Sequence, residues 1–179
     1  IWRLFTNSWL HVNIGHLMSN IVFIYFTGFF LETIVGHYYL LIYFYIGCFG
    51  GSLAVAYLNR FSLSIGASHG AMSLSGALLG TIIFNKDVLN YTFNFLTFIS
   101  LLPLIIDIFS YNFFYNKNIS YIGHWVGYIN GFLLSSSLSK LIIPQNWKLV
   151  MKTTFLNIFM LLNIYLLFDY FHYYYKKTA

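Results

Sequence analysis

Apolar residues run through this chain in long stretches, and polar residues collect in the short gaps between them. The stretches cover residues 14–31, 38–58, 66–84, 91–111, 121–143 and 153–171. Each approaches the length of about 20 residues that carries a helix across a bilayer. The gaps at 32–37, 59–62, 85–87, 112–120 and 144–148 are polar and brief. This pattern predicts an all-α, polytopic membrane helical bundle with six spans. Abundant β-branched and aromatic residues do not change that reading, because an open sheet leaves unpaired backbone in lipid. The strict alternation of a transmembrane barrel is also missing.

Composition agrees with the pattern. Of the 179 residues, 59% are hydrophobic and only 7% are charged, against about 25% charged in a soluble domain. So little charge cannot solvate a surface, and the lipid bilayer becomes the expected solvent. The net charge of +5 comes from scattered residues, which supports no nucleic-acid patch. Cys48 stands alone within an apolar run, so no internal disulfide is expected. Lys86, Lys140, Lys148 and Lys152 fall on one side of the predicted bundle, and Arg3, Arg60, Lys117, Lys176 and Lys177 on the other. That balance sets no orientation by positive charge. The run Tyr170-Phe171-His172-Tyr173-Tyr174-Tyr175 reads as an interfacial aromatic belt.

Connections this short permit only antiparallel hairpins, so the first, third and fifth spans start on one membrane face. Near those starts stand His16 and Asn20, then Ser68 and His69, then His124. A serine heading an apolar helix ordinarily caps it or packs. Ionisable residues within spans nevertheless point to function, and here several share one depth. His16 and Asn20, four apart, lie on one helix face. Gly76 and Gly80 continue the stripe from Ser68 through Met72, while Gly123, Gly127 and Gly131 form a stripe beside His124. Such stripes let backbones approach closely, and joining them would set Ser68 beside His124.

That pairing suits nucleophilic catalysis, in which a histidine takes the serine proton. Donors for a developing oxyanion would be the Ser68 backbone N–H at a helix N-terminus and the side chains of His16 and Asn20. Asp107, in the fourth span near Pro103, reads as structural, which leaves a Ser-His dyad. No metal or cofactor is expected: His16, His69 and His124 lack the close spacing of a histidine or cysteine ligand pair.

These residues resemble the rhomboid intramembrane serine proteases. Trp2-Arg3 is similar to the family's Trp-Arg motif, and His11, His16 and Asn20 fit its His-x4-His-x3-Asn. Gly28 and Glu32 stand where the family carries a glycine and a glutamate. Gly66-Ala67-Ser68 matches its Gly-x-Ser, and Gly123-His124 with Gly127 and Gly131 matches the helix of its base. The resemblance extends over about residues 2–140. It implies Ser68 as nucleophile, His124 as general base, His16 and Asn20 in the oxyanion hole, and Arg3 with Glu32 as a loop-stabilising pair. It also implies that the family's first helix is absent here, as in a processed chain or a fragment. Residues 1–143 would then form a partial catalytic core, and 144–179 an extra C-terminal helix and tail. Two neighbours depart from the pattern: His69 replaces the glycine after the serine, and Met72 replaces an aromatic that stacks on the base.

The expected function is cleavage of transmembrane protein substrates, with the site toward the extracytoplasmic face. The alternative is a catalytically impaired pseudoprotease that binds membrane helices. A transporter would show inverted repeats or broken helices, and the sequence has neither.

Overall fold

The computed structural model describes residues 2–58, 64–116, 119–138 and 146–178. Helices account for its regular structure: α1 (Arg3–Thr6), α2 (Ile14–Val35), α3 (His37–Leu58), α4 (Ser68–Phe84), α5 (Phe93–Phe113), α6 (Tyr121–Leu138) and α7 (Asn146–Thr178). A 3-10 turn, Asn7–Trp9, follows α1. The expected gap at 59–62, the end of the fifth span beyond Leu138 and the proposed boundary at 143–144 lie outside the described residues, as do Arg60, Lys117 and Lys140.

The helices differ from the expected spans in instructive ways. The break expected over 32–37 shrinks to one residue. Gly36 adopts φ +82° and its N–H donates to the Glu32 carbonyl at 2.8 Å. Only glycine takes that conformation cheaply, so helix continues to Val35 and resumes at His37. The last helix runs 33 residues, well beyond the expected 153–171. The apolar stretch within it is itself longer than expected and runs over 147–173.

Four helices, α2, α3, α5 and the 147–173 part of α7, are long and apolar enough to cross a membrane. The protein is an integral membrane protein. The two inner helices are built differently. Fourteen of the 17 residues of α4 are buried, among them Leu74, Ala77, Leu78 and Ile82. Helix α6 buries Gly127, Asn130, Gly131 and Ser135–Ser137. Surrounded by other helices, α4 and α6 do not have to dissolve in lipid, so they can carry small and polar residues. The outer helices turn Val22, Phe26 and Phe29 of α2 and Ile105, Ile106 and Phe109 of α5 outward, an apolar surface that suits lipid and not water.

Helix α4 packs against α2, α3, α5 and α6. Leu31 of α2, Tyr43 of α3, Leu96 of α5, Leu133 of α6 and Phe159 of α7 meet around it in one apolar cluster. Its contact with α6 is backbone against backbone. A Cβ placed on Gly127 would stand 2.5 Å from the His69 carbonyl oxygen, and one on Gly80 would stand 2.8 Å from that of Phe132. Cβ atoms on Gly131 and Gly76 would run into the carbonyl oxygens of Ser73 and Tyr128. The four glycines therefore interlock the two helices along most of α4. Helix α7 docks on α6 through Asn130 and Asn163, whose amides bond reciprocally at 3.2 and 2.9 Å.

The interlock predicts that Gly131→Ala costs about 1–3 kcal/mol through overpacking, read as a lowered apparent Tm in detergent. Gly28→Ala, where the new methyl meets only Leu40 and Leu74 side chains at 3.4 and 3.8 Å, should be neutral or slightly stabilising.

Candidate active site

Helix α4 holds 17 residues and is about 25 Å long at 1.5 Å per residue. The hydrocarbon core is about 30 Å thick. With one end at a membrane surface, the other end of α4 lies several ångströms inside. Ser68 stands at the N-terminal end of α4.

Ser68 is the first residue of α4, and the capping position belongs to Ala67, which has no side-chain cap bond. The serine hydroxyl is thus free of the capping role such residues usually play. Its partner is His124, with Oγ and Nε2 2.9 Å apart. His124 sits in the first turn of α6, the helix that the glycine interlock presses onto α4. The backbone N–H groups of the first turn of α4 have no carbonyls above them within the helix, which makes this end favourable to negative charge.

The segment entering Ser68 is clamped from the N-terminal side of the chain. The Gly66 N–H donates to the Asn7 carbonyl at 3.0 Å. The Asn7 amide donates to Ser52 Oγ at 2.8 Å and to the Ser64 carbonyl at 3.2 Å. The Ala67 N–H donates to His11 Nε2 at 3.4 Å. Gly66 itself takes φ +121°, and a Cβ there would stand 2.7 Å from the His16 ring and 3.5 Å from the Asn20 amide nitrogen. Glycine is required both by conformation and by that close approach.

His16 and Asn20 reach Gly66 because Asn13 starts α2 in the right place: its side chain caps the helix, accepting from the His16 N–H at 2.8 Å. The His16 ring then packs edge-on to His11, with centroids 5.2 Å apart. Asn20 is buried, and its amide nitrogen has no hydrogen-bond partner among the described residues. A buried donor left unsatisfied costs roughly 1–3 kcal/mol, and this one lies beside the turn that delivers Ser68.

His69 turns away from this cluster into a slot between α3 and α6. Cβ atoms on Gly51 or Gly123 would collide with its ring, and its Nε2 lies 3.2 Å from Ser64 Oγ. Its ring meets that of His124 edge-on at 5.8 Å. Met72 is buried. Arg3 and Glu32 do not pair. Arg3 lies at the end of the bundle where Leu4 packs on Leu53 and Phe5 stacks on Phe49. Glu32 lies 16 residues beyond His16 in α2, about 24 Å away along the helix, toward the other end of the bundle from Arg3. Arg3 stacks instead over Trp2, 5.3 Å from the ring centroid.

Sequence reasoning did not place three residues beside this site. Asp107 of α5 lies against His124, with Oδ1 2.8 Å from Nδ1. The short connection from α5 to α6 was the available signal, since it returns the end of one helix to the depth at which the next begins. Asn7 and Ser52, which hold the turn before Ser68, carried no signal in the sequence.

A family model described as the Rhomboid domain matches residues 1–141. Among proteins of Arabidopsis thaliana, RHOMBOID-like protein 1 is 34% identical over 134 residues, which is 75% of this chain and 33% of that protein. RHOMBOID-like protein 4 is 31% identical over 104 residues, 58% of this chain and 26% of that one. Inactive RHOMBOID-like protein 8 is 34% identical over 115 residues, 63% and 30% respectively. The matched segment therefore spans about a third or less of each relative.

The clamp predicts that Gly66→Ala destabilises the protein by about 1–3 kcal/mol, the cost of a strained non-glycine backbone. Thermal unfolding in detergent checks this, with Gly28→Ala as the helix control.

Proposed function

The chain belongs to the rhomboid family, and from that premise we propose that it is an intramembrane serine endopeptidase acting on transmembrane protein substrates. The observation that carries this reading is the 2.9 Å contact between Ser68 Oγ and His124 Nε2. As the serine oxygen attacks the scissile carbonyl carbon, its proton passes to His124. The carbonyl oxygen becomes an oxyanion facing the start of α4, with Asn20 and His16 as side-chain donors. When the tetrahedral intermediate collapses, the C–N bond breaks and His124 returns the proton to the leaving amine. A water molecule then loses a proton to His124 and attacks the acyl-serine. The new carboxyl product departs, and Ser68 recovers its hydrogen.

A substrate helix presents its amides to its own hydrogen bonds and not to a nucleophile. Cleavage therefore requires local unwinding, which glycine or proline in the substrate favours. The polar side chains gathered at the start of α4 support access by water from one membrane face. By the family resemblance, we assign that face as extracytoplasmic.

His69 after the nucleophile motivates the competing pseudoprotease reading, in which the chain binds membrane helices without cutting them. A fluorophosphonate probe separates the two. The full chain in detergent should label, and Ser68→Ala and His124→Ala should abolish labelling while remaining folded. A folded parent that never labels contradicts the peptidase reading and favours the pseudoprotease.

A further inference from the structure

Among the described residues Asp107 is the one carboxylate shown against this site, and it comes from a helix that the Ser-His pairing does not use. Its Oδ1 lies 2.8 Å from His124 Nδ1 while His124 Nε2 lies 2.9 Å from Ser68 Oγ. Both ring nitrogens of one histidine are thus engaged, one by each neighbouring helix. Among the described residues Asp107 makes no bond to a lysine or arginine and none to its own helix. Its second oxygen, Oδ2, is buried without a partner. Side-chain exposure is only 10% for Asp107 and 15% for His124. A carboxylate kept for stability within a span is expected to pair with a cation or to satisfy backbone. This one directs its single bond to the ring of the base.

We propose that Asp107 is a positioning residue for His124, completing a Ser68–His124–Asp107 series across α4, α6 and α5. The proposal rests on the reading of Ser68 as nucleophile and His124 as base. An ionised carboxylate only accepts hydrogen bonds. Bonded to Asp107, the neutral ring carries its proton on Nδ1 and turns the lone pair of Nε2 toward the serine hydroxyl. When Nε2 takes the serine proton, the ring becomes an imidazolium whose Nδ1–H still points at the carboxylate, and Asp107 gains no proton. The remaining neighbours hold the ring less firmly. His69 and Tyr121 meet it edge-on, at centroid distances of 5.8 and 6.5 Å. The residue one turn after the serine is the flexible Met72.

The simpler account is that Asp107 merely ties α5 to α6. A second tie between the same helices, Ser110 Oγ to the Tyr121 hydroxyl at 3.1 Å, supplies the control. The chain in detergent is treated with a series of fluorophosphonate concentrations to separate probe binding (KI) from the bond-forming step (kinact). In that step the Oγ–P bond forms as the P–F bond breaks, the serine proton goes to His124, and fluoride leaves. Asp107→Asn offers Nδ1 a donor and so selects the other tautomer. It should lower kinact by at least about a hundredfold, with KI and Tm little changed. Asp107→Glu, which keeps the carboxylate on a longer stem, should recover part of the rate. Ser110→Ala should stay within about twofold of the parent, as expected for loss of one partly exposed hydrogen bond.

Labelling of Asp107→Asn at the parental rate, or a loss matched by Ser110→Ala, overturns the proposal. A measurement on the parent covers the case in which the variants fail to fold. Nitrogen-15 NMR of histidine-labelled protein, with His124 assigned through His124→Gln, should report a protonated Nδ1 and an unprotonated Nε2. The opposite tautomer also overturns the proposal. A parent that never labels would refute the peptidase reading itself, and the tautomer measurement would still decide the role of Asp107.

Discussion

The packing of α4 on α6 governs nearly everything else in this molecule. Gly76 and Gly80 on one helix and Gly127 and Gly131 on the other let carbonyl oxygens fill the space that Cβ atoms would take. In lipid there is no hydrophobic gain from bringing two helices together, so close backbone contact is a main source of attraction. That contact also fixes register. With Gly127 seated on His69 and Gly131 on Ser73, the first turn of α6 has one place to go, and it sets His124 within hydrogen-bond reach of Ser68.

The same contact explains the division of labour among the helices. Because α4 and α6 are enclosed, they can be short and rich in serine, glycine and asparagine, while α2, α5 and α7 meet the lipid. At 17 residues α4 is shorter than α2, α3, α5 and α7, and Ser68 stands at its start. The chain before α2 then takes on an unexpected task. Asn7 and His11 hold the turn at Gly66 and Ala67, and Gly66 presses against His16 and Asn20. Ser68, His124 and the pair His16 and Asn20 thus arrive on separate helices, each stopped in place by its own local constraint.

Much of this was legible in the residue pattern. Long apolar runs announced the helices, and short gaps imposed the alternation that gathers His16, Asn20, Ser68 and His124 at one depth. That alternation was followed only for the starts of the first, third and fifth spans. Helix ends obey it equally, and Asp107, six residues before the end of α5, returns to the depth of His124. The expected pairing of Arg3 with Glu32 rested on resemblance alone, and helix length contradicts it, since α2 carries Glu32 to the opposite side of the bundle. The slot for His69 was not legible because it depends on Gly51, a glycine on a third helix whose rotation no single-chain pattern specifies. Gly36 hid for a different reason: a one-residue break looks, in sequence, like part of a polar loop.

We propose that the α4–α6 contact builds one catalytic arrangement around Ser68, and the structure of the phosphonylated protein in lipid tests this most directly. The account predicts phosphorus bonded to Ser68 Oγ, His124 still against the site, and the phosphoryl oxygen within hydrogen-bond distance of the Asn20 amide and the Ser68 N–H. An adduct on another residue, or a phosphoryl oxygen turned away from Asn20 and the start of α4, would contradict it.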